Sequence, residues 1–231
     1  MSLRMYDLAG ADPEVRFSPY CWRVRMACAH KGLELETIAW RFTDKEAIAM
    51  SGQGAVPVLI DGNDVLHDSW KIAEELDRRY PDRPLLIENE QGRALANFAR
   101  HFAQTAISSA AFKAVILDIY NAIHEKDRAY FRKSREERFG KTMEEFAISE
   151  AEAQAQLRIA LSPLRALLQE QNFINGAKPA WADYCVFGSF MWLRNVSPKK
   201  LLMEDDPVFA WRERMLDLYG GLARKSKRAA T

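Results

Sequence analysis

Three short stretches hold the residues whose types and spacing could do chemistry. The first is Phe17-Ser18-Pro19-Tyr20-Cys21-Trp22-Arg23. Ser followed by Pro is an N-cap and first-position pair, so a helix should open here. Capping alone would explain Ser18. The same geometry also allows chemistry, because free N–H groups and the positive end of the helix dipole stabilise an anion, a thiolate included. Cys21 lies three residues on. Ser-x-x-Cys is a Cys-x-x-Cys pair whose outer sulfur has become oxygen.

The second stretch is Ala55-Val56-Pro57-Val58-Leu59-Ile60. Pro is tolerated at the first residue of a strand, where its missing N–H removes no ladder bond. X-Pro bonds are cis in only about 5–6% of cases, so sequence alone favours trans. A cis bond would turn the N–H and C=O of Val56 outward, where an extended peptide could pair with them. The third stretch is Leu66-His67-Asp68-Ser69-Trp70. Asp68 and Ser69 are good capping residues. They could also bind a zwitterion, with Ser69 and the helix end taking a carboxylate and Asp68 an ammonium.

The elements that must position these groups follow from periodicity. Leu3 to Leu8 and Leu35 to Phe42 read as strands. Pro19 to Lys31 reads as a helix stopped by Gly32. Thr43 to Met50 reads as a short helix capped by Thr43, with Glu46 three residues on. Val56 to Ile60 and Val65 to His67 are strands around the turn Asp61-Gly62-Asn63. Ser69 to Tyr80 is helical. The order β-α-β-α-β-β-α requires a mixed four-stranded sheet, since only the last pair has a tight hairpin. Beyond Pro81-Asp82-Arg83-Pro84 the chain reads as all helix, over 89–124, 143–171, 182–194 and 205–219, with a kink or break at Pro163. The expected division is residues 1–83, a linker at 84–91, and a helical domain at 92–231.

Composition narrows the classes. The chain has 231 residues, with 33 Lys+Arg against 32 Asp+Glu. That balance argues against a nucleic-acid partner. The basic run Arg224, Lys225, Lys227, Arg228 reads as a solvated tail. No apolar run approaches the ~20 residues that span a bilayer; the best candidate, Trp181 to Leu193, is shorter and contains Asp183. No signal pattern opens the chain, and three cysteines make a disulfide framework improbable. A cytoplasmic protein with reduced thiols and no membrane partner is expected. Four histidines stand unpaired with cysteines, so no metal is expected. Gly-x-Gly-x-x-Gly and phosphate-loop patterns are lacking.

Taken together, the three stretches suit a short zwitterionic peptide carrying a thiol. The element order, with Ser-Pro-x-x at the first helix, Val-Pro before the third strand and Asp-Ser before the third helix, resembles the thioredoxin-like domain of cytosolic glutathione transferases. The all-helical second half resembles them too. Ser-Pro-Tyr-x-Trp-Arg, Asp-Ser-Trp and Tyr80-Pro81-Asp82-Arg83-Pro84 are similar to the bacterial β-etherase branch, associated with cleaving lignin-derived β-aryl ethers. The resemblance implies an α/β thioredoxin-like domain plus an all-α domain, glutathione as co-substrate, a hydrophobic aromatic electrophile and a homodimer. It implies that Ser18 stabilises the glutathione thiolate. It implies that Val56, before a cis-Pro57, pairs with the cysteinyl backbone, that Asp68 and Ser69 hold the γ-glutamyl end, and that Gln53 meets the glycine end. Tyr20, Phe112, Tyr120 and Trp192 are the expected pocket linings. Two alternatives stand beside it, a glutathione-dependent thiol reductase using Cys21 and a non-catalytic glutathione-binding module. One departure is Ala180-Trp181-Ala182-Asp183, where the family has a hydroxyl cap ahead of the Asp.

Overall fold

A computed structural model describes residues 3–230. Strand β1 (Leu3–Leu8) runs parallel to β2 (Leu35–Trp40) and antiparallel to β3 (Val58–Asp61), which pairs antiparallel with β4 (Asp64–His67). The order β2-β1-β3-β4 is the mixed thioredoxin-like sheet expected from the sequence. Helix α1 (Pro19–His30) makes the β1-to-β2 crossover, and α2 (Ser69–Arg79) follows β4. Gly32, at φ +64°, ends α1 in a left-handed cap, and the Leu33 N–H returns to the Cys28 carbonyl at 2.9 Å.

The second half is helical: α3 (Glu90–Phe102), a π turn (Ala103–Ile107), α4 (Ser108–Ala122), α5 (Glu125–Phe139), α6 (Met143–Phe146), α7 (Glu150–Ala160), α8 (Ser162–Glu170), α9 (Trp181–Val196) and α10 (Pro207–Gly221). All of α9 except Arg194 is buried, against α1 and α3 above all. A helix apolar all round is a core element, and each large side chain it buries contributes about 1.5–3 kcal/mol. Gly188 permits its closest approach: a Cβ there would lie 2.3 Å from the Pro19 carbonyl oxygen.

Several expectations need correcting. The short helix after β2 is a 3₁₀ turn, Lys45–Ser51, and Thr43 does not cap it. The Thr43 hydroxyl instead donates to Asp127 Oδ1 at 2.6 Å, tying that loop to α5. Helix α5 itself was not expected, because Glu125–Phe139 is charge-dense and lacks an apolar stripe. It forms with acids in its first turn, Arg138 in its last, and Gly140 as a left-handed cap. The kink or break expected at Pro163 is met by a break: α7 ends at Ala160 and α8 starts at Ser162. The basic tail is docked: Arg224 pairs with Glu213 and Asp217, Lys227 with Asp12, and Arg228 Nε donates to the Arg194 carbonyl. Finally, Glu90–Ala122 runs as one helix long and apolar enough, by length and composition, to cross a membrane. Ala96, Ala99, Ile107, Ala111 and Val115 on it are buried in the core.

Candidate active site

The loop before α1 is held by its own main chain. The Phe17 N–H bonds the Leu8 carbonyl at 3.2 Å. The Arg16 carbonyl accepts from Trp22 Nε1 at 2.8 Å and from Asn195 Nδ2 at 2.7 Å. This fixes Ser18 as the N-cap of α1, where its Oγ accepts from the Cys21 N–H at 3.2 Å. One lone pair of the oxygen serves the cap, and the hydroxyl proton remains to be offered to another group. Ser18 is only 3% exposed.

The Val56–Pro57 peptide bond is cis, against the trans form that sequence frequency favoured. Among the described residues, neither the N–H nor the C=O of Val56 bonds another backbone group. Asp68 sits at φ 67°, a left-handed conformation that Asp tolerates better than most residues. Its Oδ1 accepts from the Trp70 N–H at 2.8 Å and the Lys71 N–H at 3.1 Å, capping α2. This leaves the N–H of Ser69, at the first helical position, without a partner among the described residues. The Ser69 hydroxyl stands beside it.

Val56, Pro57, Asp68 and Ser69 border a single cleft of about 390 Å³. One wall is Gln53, Ala55, Val56, Pro57, Asp68, Ser69 and Trp70. Facing it are Tyr20 and Arg23 of α1, Arg100 and His101 of α3, Gln104 of the π turn, and Trp181 and Cys185 of α9. Aromatic faces and backbone polar groups thus share one concavity, the usual make-up of a small-molecule site.

The structure brings six of the ten residues singled out in the sequence, Tyr20, Gln53, Val56, Pro57, Asp68 and Ser69, into this cleft. Ser18 lies two residues from Tyr20 but does not itself line it. Phe112, Tyr120 and Trp192 are elsewhere. Phe112 stacks on Trp192 at 5.6 Å in an aromatic cluster with Phe139 and Phe146, and Tyr120 lies under Arg132. Trp70, Trp181, Arg23 and Arg100 were missed. Arg23 and Trp70 stood inside motifs already noted, but a motif does not say which way a side chain points.

Cys21 is fully buried, with Sγ 3.8 Å from the Tyr6 carbonyl. Burial, and then the nearby Asp7 carboxylate, push its thiol well above the ordinary range. A reactive thiol needs the opposite surroundings, which removes the basis for a Cys21 reductase. Asp183 does without the missing hydroxyl. Its carboxylate accepts from the N–H groups of Ile174, Asn175 and Ala180 and from Trp211 Nε1, at 2.7–3.2 Å. The helix therefore starts at Trp181, although Ala180 offers no side-chain cap. Among the described residues no group of three or more His, Cys, Asp or Glu could hold a metal ion.

Residues 13–84 match the family model for the glutathione S-transferase N-terminal domain, and residues 94–213 match that for the C-terminal domain. Glutathione S-transferase Z1 of Arabidopsis thaliana is 33% identical over 111 residues, 46% of this chain and 50% of that protein. A stringent starvation protein A homolog of Pasteurella multocida is 35% identical over 69 residues, 29% of this chain and 32% of the other. The chain therefore spans about half the length, or less, of such curated relatives. Among solved structures, glutathione transferase GSTFuA2 of Phanerochaete chrysosporium superposes with a TM-score of 0.78 at 23% identity, covering 100% of both chains. The glutathione S-transferase CsGST63524 of Ceriporiopsis subvermispora, solved in complex with glutathione, superposes with a TM-score of 0.75 at 25% identity, covering 98% of this chain and 95% of that one.

Proposed function

Because the chain belongs to the glutathione S-transferase family, we propose that it binds glutathione in the cleft between its two halves and activates the thiol for attack on a hydrophobic aromatic electrophile. The observation that carries this reading is the unpaired main chain of Val56 in one cleft with Asp68 and Ser69. In the proposed mode, Val56 pairs with the cysteinyl unit as an added strand. The N–H and hydroxyl of Ser69 take the γ-glutamyl carboxylate at the helix end, and Asp68 takes the ammonium. Gln53 meets the glycine end. Tyr20, Trp70 and Trp181 offer faces to the electrophile.

The sulfur is assigned to the Ser18 end of α1. A free cysteine thiol has a pKa near ~8.5, and lowering it by two units takes about 2.7 kcal/mol. A hydroxyl bond to a charged group contributes about 1.5–3 kcal/mol and a helix N-terminus about 0.3–1 kcal/mol, which together suffice. The thiol proton goes to solvent. The thiolate then forms a C–S bond as the leaving group departs with its electron pair. With a β-aryl ether the leaving group is a phenolate, and this is the substrate proposed within the class. Assembly as a homodimer belongs to the same reading and is checked by mass in solution.

The test is Ser18→Ala, assayed for conjugation to chlorodinitrobenzene and for cleavage of a β-aryl ether, with glutathione binding followed by calorimetry. Turnover should fall by about tenfold or more, the equivalent of ~1.4 kcal/mol, while glutathione affinity falls less. Undiminished turnover rejects Ser18 as activator. Calorimetry without a binding signal for the wild type rejects the whole reading.

A further inference from the structure

The cleft contains more positive charge than the proposed pose of glutathione accounts for. Arg23 is 5% exposed and lines the cleft, yet it forms no ion pair and no hydrogen bond among the described residues. Among the described residues its Nε is sealed off without a partner, and its guanidinium lies over the face of Tyr20, with Cζ 4.7 Å from the ring centroid. Burying Nε without a partner is costly, and the terminal nitrogens, which no protein group takes among the described residues, are left for a guest in the cleft. Trp181 Nε1, on another residue lining the cleft, is a second buried donor without a partner. Arg100, also in the cleft lining, is half-buried: it is stacked on Trp70 with Cζ 4.4 Å from the ring centroid, and its Nε donates to Asn97 Oδ1 at 2.9 Å. Among the described residues it forms no ion pair with a carboxylate.

The acids do not balance this. Among the described residues Asp68 is the only carboxylate lining the cleft, and its Oδ1 already caps α2. In the pose proposed above, glutathione's two carboxylates go to Ser69 and Gln53, and its ammonium goes to Asp68. Arg23, Arg100 and the Trp181 indole then remain unused. All three are pure donors, and two are cations. A planar guanidinium is best matched by a carboxylate, which accepts two parallel bonds. Gly188 adds a reason for the position of Arg23: a Cβ there would come within 3.2 Å of Arg23 Cγ, so the glycine makes room for the buried side chain.

We propose that the electrophile for this cleft carries a carboxylate, which Arg23 binds on the α1 and α9 side with Arg100 at the rim. The proposal rests on the glutathione-transferase reading for the position of the sulfur. The presence of a carboxylate-binding locus does not depend on that reading.

The test uses the full chain and a matched pair of electrophiles, chlorodinitrobenzene and chlorodinitrobenzoate. In both, the thiolate forms a C–S bond and chloride leaves with the electron pair. After division by the uncatalysed rates, the wild type should favour the benzoate in kcat/KM by about tenfold or more, the scale of one charge-assisted pair. Arg23→Gln and Arg100→Gln should each shrink that ratio, and Arg23→Lys should restore part of it. Circular dichroism checks that the buried-site variants fold, and Arg100→Gln gives an answer even if Arg23→Gln does not.

Calorimetry with the unreactive pair dinitrobenzoate and dinitrobenzene gives a second readout that needs no turnover. The benzoate should bind tighter, and the difference should shrink in the variants. A wild-type ratio near one in both assays overturns the proposal. So does a ratio that survives both Gln variants. If the variants instead raise only the KM for glutathione, the carboxylate held is glutathione's own, and the proposal falls while the transferase reading stands. Selective benzoate binding by a chain that ignores glutathione would reject the transferase reading and leave the anion locus in place.

Discussion

The Asn195 side chain donates to the main-chain carbonyl of Arg16 at 2.7 Å, joining the buried helix α9 to the loop that sets Ser18. Asn195 also receives the tail: its Oδ1 accepts from Ser226 Oγ at 3.2 Å and its carbonyl from the Ala229 N–H at 2.8 Å. One buried amide thus connects the candidate site to the docked C-terminal segment. Replacing it with Ala leaves buried polar groups short of partners, at a cost of about 1–3 kcal/mol. Asn195→Ala should lower the melting temperature by roughly 2–4 °C for each kcal/mol lost. It should also lower kcat more than it raises the KM for glutathione, as expected of a group that positions Ser18. A melt and steady-state kinetics that match the wild type would refute this role.

Gly188→Ala should be worse, because no neighbouring side chain can swing aside. The added Cβ would meet the Pro19 carbonyl at 2.3 Å, and that backbone belongs to the first turn of α1. The two helices must separate, and overpacking of this kind costs about 1–3 kcal/mol or more. Denaturant unfolding measures it, and a midpoint equal to the wild type's would show that the helices yield freely.

Acid should weaken the fold through His30. Burial lowers its pKa below the ordinary 6.5. Its Nε2 bonds the Leu85 carbonyl at 3.2 Å, so Nδ1 accepts from the Tyr184 hydroxyl at 2.7 Å and the ring is neutral. The unfolded chain then holds the proton more tightly than the folded one. Stability is complete above about pH 6.5 and declines as the pH falls from there towards the lowered folded value. Melting temperatures between pH 5 and 8 should show this slope in the wild type and a flatter one in His30→Gln. Parallel slopes would assign the effect to other groups.

The thiols should be inert. Cys21, Cys28 and Cys185 are unpaired and buried. Burial lifts Cys28 to about 12 and Cys185 to about 11. A chromogenic disulfide reagent at neutral pH should leave all three unmodified in the native protein and titrate all three in denaturant. Rapid reaction of a native thiol would reopen the reductase alternative.

The order of strands and helices in the first half was legible because each unit had its own punctuation. Ser18-Pro19 opened α1, Gly32 closed it, and Asp61-Gly62-Asn63 turned the hairpin. Helix α5 was not legible, because its stability comes from charge placement at its ends and from Asp127 reaching back to Phe42 and Thr43, a contact between positions far apart in sequence. The cleft divides the same way. Val56, Asp68 and Ser69 sit at backbone positions that short motifs announce. Which aromatics face the cleft is decided by helix rotation and packing, so Trp181 lines it while Phe112 and Trp192 pack on each other.

Val56 presents amide and carbonyl groups that every residue except proline possesses. Selection can therefore exchange the side chain at this position without touching what it offers a guest. Proteins sharing such a dock could diverge widely around it and keep the same grip, and counting identical letters would understate how alike they are.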